Sequence, residues 1–217
     1  MSLYILMKIL ESFPEKYNRG ITILTRGNLD DTYNRLITFV KRGQKVLDIG
    51  CGTGMLTIKA AKKGAFVKGI DVNPGMLETA KNMVEKENII QNVEFSEMGA
   101  VELESETSES YDIVMSGLCF SELNEDELSL TLKEIKRILK PGGLLLIADE
   151  TIPKNILKKI VYKIIRFPFL IITYILTQST TKPVKSLDKV LEEKGFLIKS
   201  VRLNKMENFV EIVAKKP

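Results

Sequence analysis

The residues most able to do chemistry lie together in the run Asp48-Ile49-Gly50-Cys51-Gly52-Thr53-Gly54. They follow a short apolar stretch, Lys45-Val46-Leu47-Asp48-Ile49, and precede Met55 to Lys63, where Leu56, Ile58, Ala60 and Ala61 can pack as part of a helix. Glycines between a strand and a helix allow a tight turn and bring backbone N–H groups close to a ligand. Dinucleotide-binding folds use a G-x-G-x-x-G spacing there to seat a pyrophosphate on the helix N-terminus. Here the third glycine comes one residue earlier, and Asp48 precedes the first. A carboxylate at that point suits a ligand bearing an ammonium group better than a pyrophosphate. Roughly twenty residues on, the next apolar run ends in Ile70-Asp71-Val72, where an acid meets ribose hydroxyls in such folds. Asp71 is read as the acceptor for both hydroxyls, with Val72 and Met76 flanking the base.

These residues need a scaffold that repeats strand and helix. Ala65 to Ile70 reads as a second strand, and Pro74 stands where a helix would start, with Met76, Leu77, Ala80 and Val84 at helical spacing. Asn92 to Phe95 and Asp112 to Met115 read as further strands. Glu125 to Leu139 places Leu128, Leu132, Ile135 and Leu139 on one helical side; Pro141-Gly142-Gly143 is expected to end it, before a buried fifth strand from Leu144 to Ala148. Repeated β–α units imply a parallel sheet with right-handed crossovers. The tail departs from this pattern. A helix from Ser186 to Lys194 precedes two strand-like stretches, Phe196 to Arg202 and Asn208 to Ala214, a closing hairpin that adds an antiparallel strand. The expected fold is α/β, a doubly wound, mostly parallel seven-stranded sheet in one domain spanning 1–217, with an N-terminal cap (1–42) and an insertion (153–183).

One ligand joins an ammonium, a carboxylate and an adenosine: S-adenosylmethionine (SAM), which becomes S-adenosylhomocysteine when its methyl leaves. Val46 to Gly54 resembles the first motif of class I SAM-dependent methyltransferases, and Gly69-Ile70-Asp71-Val72-Asn73-Pro74-Gly75-Met76-Leu77 resembles the second. Tyr111-Asp112-Ile113-Val114 and Leu139-Lys140-Pro141-Gly142-Gly143 resemble the later ones, so the likeness covers roughly Gly43 to Glu150. It implies SAM contacts from Asp48, Gly50, Cys51, Gly52, Thr53, Gly54 and Asp71. Many relatives carry Gly-Asp-Ala after the third strand, with the Asp on the adenine amino group. This chain has Met98-Gly99-Ala100. The side-chain contact is lost at Gly99, and the backbone of Ala100 or Val101 is left to reach the ring. Tyr17-Asn18 resembles the Tyr-Asp of quinone-biosynthesis-type methyltransferases, whose N-terminal segment closes over SAM. The longer pattern from Met7 through Gly20 resembles corrinoid-protein-associated methyltransferases.

The acceptor is harder to read. Ligands in open α/β sheets sit at the carboxyl ends of the strands. Ser116 and Gly117 should therefore lie beside the methionine part of SAM, and Ser121 and Glu122 near the acceptor. The chain has no histidine, which removes histidine-based triads, histidine-ligated metal sites and a histidine general base. Tyr17, Ser121 and Glu122 remain as catalytic candidates, unless the nucleophile is already electron-rich, as a thiolate, a stabilised carbanion or a reduced corrinoid cobalt would be. The expected acceptor is a small molecule or a corrinoid. Alternatives are a non-catalytic SAM-binding accessory to a corrinoid system and a nicotinamide-dependent oxidoreductase, the latter disfavoured by the glycine spacing and Asp48.

Composition narrows the setting. Across 217 residues, 44% hydrophobic and 28% charged content is ordinary for a soluble globular protein. A net charge of +4 is too small to imply nucleic acid. Cys51 and Cys119 offer no disulfide framework, consistent with a cytoplasmic, reducing setting; Cys119 reads as a small buried apolar residue. The opening Met1 to Lys8 lacks a basic leader and a cleavage site, so no signal peptide is expected. Between Pro153 and Pro183, Ile156, Leu157, Ile160, Val161, Ile164 and Ile165 share one half of a helical wheel. Lys158, Lys159, Lys163 and Arg166 share the other, and the apolar stretch Phe169 to Leu176 follows. That stretch is shorter than the roughly twenty residues a bilayer span takes. Residues 154–177 are read as a lid, a partner surface or a peripheral membrane contact.

Overall fold

The computed structural model describes residues 14–25, 28–164, 167 and 183–217. The opening Met1 to Lys8, the start of the Met7–Gly20 pattern and the apolar stretch Phe169 to Leu176 lie outside these residues.

Seven strands form one sheet: β1 (Lys45–Ile49), β2 (Phe66–Asp71), β3 (Val93–Glu97), β4 (Tyr111–Gly117), β5 (Leu139–Glu150), β6 (Leu197–Leu203) and β7 (Phe209–Lys215). Their order is β3-β2-β1-β4-β5-β7-β6. β1 to β5 run parallel, and β7 lies antiparallel between β5 and β6. This is the expected doubly wound fold with its closing hairpin. The chain leaves β1 toward β2 and β3, then returns to place β4 on the other side of β1. That reversal opens a crevice at the carboxyl ends of β1 and β4, where Ile49 pairs with Ser116.

Strand alternation distributes the core over two faces. Leu47, Ile49 and Val114 join a cluster with Leu132 and Ile135 of helix α5 (Glu125–Ile138). Val46, Ile113 and Met115 join the opposite cluster, with Leu29, Tyr33 and Leu36 of α2 (Asn28–Leu36) and Leu56 and Ala60 of α3 (Met55–Lys62). Each large aliphatic side chain removed from water in this way contributes about 1.5–3 kcal/mol. By the same alternation, Asp48 shares the α2/α3 face with Val46.

Helix ends follow local chemistry. Before α4 (Pro74–Lys86), Asn73 caps the helix by accepting from Gly75 N at 3.0 Å and Met76 N at 3.3 Å, with Pro74 in the first turn. Asn124 and Glu127 form a reciprocal capping box at the start of α5. One expectation is corrected here. Pro141-Gly142-Gly143 does not separate helix from strand: α5 ends at Ile138, Leu139 is already extended, and β5 runs through the three residues. The register slips between Tyr111 and Ile113, and Gly142 absorbs the irregularity at a φ of 77°.

The ends of the chain are tied to the sheet. Helix α1 (Pro14–Thr25) meets α4 through Asn18, whose amide donates to Met83 Sδ at 3.0 Å. Helix α2 meets β7 through Arg35, whose Nε donates to Glu211 Oε2 at 2.8 Å, while its Nη2 lies 2.8 Å from the same oxygen and donates to Thr32 Oγ1. The insertion closes at its base, where Thr151 and Val184 form a parallel bridge and Thr151 Oγ1 donates to Val184 O at 3.0 Å. A short helix, α6 (156–164), opens the insertion, and α7 (Leu187–Glu193) follows it.

Glu211 is almost fully buried, so removing its cation leaves an unpaired carboxylate. Arg35→Met is expected to lower stability by about 1–2 kcal/mol, and Glu211→Gln in that background to recover part of the loss. Urea unfolding of the three proteins checks this.

Candidate functional site

Asp48 occupies a β1 position whose neighbours are all apolar, and only 1% of its surface is exposed. Its Oδ2 accepts from Thr57 Oγ1 of α3 at 2.6 Å. Its Oδ1 is buried and has no hydrogen-bond partner among the described residues. Burial drives the carboxyl pKa up from 3.8 to about 7; the Thr57 bonds pull against this, and the nearby Asp71 carboxylate adds to it. A buried acceptor of this kind is costly unless something cationic or hydrogen-bonding meets it.

The glycine turn forms directly after it. Gly50 adopts a φ of 65°, and a Cβ there would lie 2.7 Å from Cys119 Sγ and 2.6 Å from its Cβ, so no side chain fits. Cys51 N donates to Ile70 O at 2.9 Å, holding the turn against β2. Asp71 then ties two loops together: Oδ2 accepts from Gly52 N at 2.8 Å and Oδ1 from Asn73 N at 2.9 Å. Each carboxylate oxygen retains acceptor capacity, so ribose hydroxyls can share them. Thr53 Oγ1 donates to Asn18 Oδ1, bringing the N-terminal helix onto the turn.

Two adjoining hollows open at this end of the sheet. The smaller, of about 30 Å³, is lined by Asp48, Gly50, Cys51, Gly52, Thr53 and Tyr17, with Tyr33, Leu29, Met55, Leu56, Gly117 and Leu118 closing it. The larger, of about 240 Å³, is lined by Gly50, Gly52, Asp71, Val72, Asn73, Met76, Met98, Ala100 and Gly117, together with Tyr17, Leu118, Cys119, Glu122 and Leu123. The wider depression of 630 Å³ among Lys133, Lys136, Arg137, Lys194 and Lys216 on the α5 side is structural. Lys136, Arg137 and Lys216 spend their protons on the carbonyls of Lys194, Leu103 and Leu139.

Most of the residues expected at the site meet there, and five do not. Gly54 is absent from the lining and packs toward Ala80 and Phe95. Ser116 is buried in β4, donating to Ile49 O at 3.2 Å. Gly99 and Val101 do not line either hollow; Gly99 N donates to the Glu102 carboxylate, and Val101 is partly exposed. Ser121 is buried against Asp149, to whose Oδ2 its backbone N–H donates at 3.2 Å. It is thereby removed from the catalytic candidates as a group facing the cavity, whereas Tyr17 and Glu122 do line it. Cys119 lines the larger hollow rather than the core alone, although burial raises its thiol pKa, as it does for Cys51.

Two residues escaped the sequence reading. Tyr33 packs against Gly117 so closely that a Cβ there would collide with its hydroxyl; burial, then Tyr17, Asp48 and Asp149, hold its pKa well above the ordinary value. The Leu29-Tyr33-Leu36 spacing was the available signal, and it marked only a helix face. Asp149 is fully buried at the end of β5, its pKa raised to about 6 by burial against the bonds from Ser121, Glu150 and Phe120. It holds the turn that carries Cys119 and Glu122.

Asp71→Ala removes the acceptor that ties Gly52 to Asn73 and that the sequence assigns to the ribose. SAM affinity is expected to fall by about tenfold to a hundredfold, read by calorimetry, and unchanged affinity would remove Asp71 from the site.

Comparison with known proteins agrees with this geometry. Residues 46–143 match the family described as a methyltransferase domain. The chain is 37% identical over 125 residues to a demethylmenaquinone methyltransferase of Chlorobaculum parvum, covering 57% of this chain and 48% of that protein. It is also 37% identical over 151 residues to one from Staphylococcus aureus, covering 67% and 60%. The chain thus spans roughly half of the curated relatives it matches. A SAM-dependent methyltransferase from Aquifex aeolicus superposes with a TM-score of 0.62 at 21% identity, over 89% of this chain and 93% of that one. Residues 46–143 therefore carry the methyltransferase-domain sequence, on the seven-stranded fold of SAM-dependent methyltransferases.

Proposed function

We propose that the chain is a SAM-dependent methyltransferase acting on a small apolar acceptor of the demethylmenaquinone kind, with 1–217 as its functional unit, 1–42 as cap and 153–183 as insertion. The observation that carries the reading is Asp48 Oδ1, a buried acceptor without a partner among the described residues, beside a turn of backbone N–H groups. An amino acid's ammonium satisfies that oxygen; its carboxylate must use donors other than Cys51 N, Gly52 N and Gly54 N, which already donate to Ile70 O, Asp71 Oδ2 and Cys51 O. Asp71 holds the ribose, while Val72, Met76 and Ala100 border the base. Bound there, SAM supplies a methyl on a sulfonium, a good leaving group, so the protein's task is chiefly to align the acceptor. Leu118, Cys119, Leu123 and Met98 give the larger hollow an apolar wall that suits a ring or chain. With Asp71 engaged by Gly52 N and Asn73 N, Tyr17 and Glu122 are the cavity residues assigned to take a proton from the acceptor.

A corrinoid is the finer alternative acceptor. A labelled-methyl assay with a demethylmenaquinone-type quinol, a thiol and cob(I)alamin in parallel separates these readings. Label on the quinol is the expected result; label on the corrinoid alone moves the acceptor, and SAM binding with no transfer to any of them makes the protein a non-catalytic accessory. Titration with NADH against SAM separates the oxidoreductase alternative.

Asp48 also gives a pH signature. A carboxyl raised by burial stabilises the fold below its unfolded pKa, and that contribution is lost as pH rises through about 7. An ammonium ligand binds the ionised form, so SAM affinity should rise toward a plateau between about pH 6 and about pH 7.5. Asp48→Asn is expected to raise the melting temperature of the ligand-free protein at about pH 8 while weakening SAM and flattening the pH dependence. Thermal melts and calorimetry across that range test both signs.

A further inference from the structure

The insertion carries its helix with the apolar side turned outward. In α6 (156–164), Ile156, Leu157, Ile160, Val161 and Ile164 are 44–72% exposed, and Phe167 just beyond is 65% exposed. Tyr162 is the one residue of the helix buried against the protein. At about 100° per residue, the five apolar side chains span an arc of about 140°. Lys159 and Lys163 flank one edge of this arc, Lys158 flanks the other, and Tyr162 stands behind it. A helix that merely roofed the core would show the opposite polarity.

Charge indicates what this face meets. From Thr151 to Leu187 there is no Asp or Glu, whereas Lys154, Lys158, Lys159, Lys163, Arg166, Lys182 and Lys185 all fall there. This stretch thus carries a charge of +7, and the rest of the chain is net negative. Lys158 pairs with Glu207 at 2.7 Å and Lys154 with Asp188 at 3.4 Å. Lys159 and Lys163 make no ion pair among the described residues. Long lysine stems can follow an apolar surface while their ammonium groups reach outward. No helix among the described residues is long and apolar enough to cross a membrane.

We propose that α6 lies on the surface of a bilayer containing anionic lipid, its isoleucines entering the acyl boundary and Lys159 and Lys163 meeting the headgroups. The closed base at Thr151 and Val184 lies just past the carboxyl end of β5, so the contact forms on the same end of the sheet as the crevice. The contact is argued from charge and exposure alone and stands whatever the methyl acceptor is.

The test is co-sedimentation of the full chain with phosphatidylcholine vesicles, with and without about one third phosphatidylglycerol. The protein is expected to follow the anionic vesicles about tenfold better than the neutral ones. Ile156→Ser/Ile160→Ser/Ile164→Ser and, separately, Lys159→Gln/Lys163→Gln should each cut that binding by about tenfold or more, with circular dichroism and SAM affinity unchanged. No sedimentation with either vesicle overturns the proposal, as does binding that both variants leave intact. A concentration-dependent dimer lost in the triple serine variant, with vesicles ignored, assigns the face to a second copy and overturns it. Vesicle binding that emerges only when the apolar residues of 169–176 are replaced by serine assigns the face to the chain's own segment, and overturns it equally.

Discussion

The site is organised around one carboxylate held out of water. Strand alternation sends Val46 and Asp48 to the same face of β1, beneath α2 and α3, so the fold itself buries the acid. Thr57, one helix away, satisfies one oxygen and leaves the other buried without a partner among the described residues. A leucine there would pack at no electrostatic cost. Retaining an acid where burial lifts its pKa to about 7 destabilises the protein at neutral pH, a cost that the proposed ammonium ligand would offset. Much of the surrounding architecture fixes where that oxygen points and what can approach it.

The supports act on backbone as much as on side chains. Asp71 reads as a ligand group from its spacing alone, yet in the fold it first anchors Gly52 and Asn73, joining the turn after β1 to the cap of α4. Asn18 performs a similar service from the N-terminal side, binding Thr53 and Met83 together. Gly50 and Gly117 are small because Cys119 and Tyr33 occupy the space a Cβ would need. These close approaches draw α2, the turn after β1 and the turn after β4 into one wall, so a change in any of them is felt at the crevice.

What the sequence disclosed follows from which interactions are local. Periodicity located every strand except β5 to within a residue or two, and the Gly-x-Gly turn with its two acids marked the crevice at the carboxyl ends of β1 and β4, because chain-local geometry governs both. It misjudged Pro141-Gly142-Gly143: residues 140–143 have no partner on β4, and bonds of Gly142 N to Lys216 O and of Lys216 N to Gly143 O keep the chain extended through them. Ser121 looked like an acceptor-side hydroxyl, but Asp149, 28 residues later, captures that turn. Spacing could not reveal a contact of that range. Tyr33 was invisible for the same reason, its partner Gly117 being 84 positions away in the chain. Gly99 and Val101 were inferred from the family's pattern, and in this chain the Glu102 carboxylate takes the Gly99 N–H instead.

The insertion obeys a different logic from the rest of the chain. Its ends are bridged through Thr151 and Val184, so the sheet is complete without it, and its composition is free to answer to something outside the core. The core selects apolar residues that disappear; α6 hides only Tyr162 and leaves its isoleucines exposed. Such a face is a liability in water, with enough apolar surface to drive association. The lysines along its edges make the proposed partner one that is both apolar and negatively charged. Placing that requirement at the end of the sheet where the crevice opens links two separate features. On the proposed function, an apolar acceptor dissolved in a bilayer would reach the crevice without first crossing water, a cost that otherwise grows with every buried methylene.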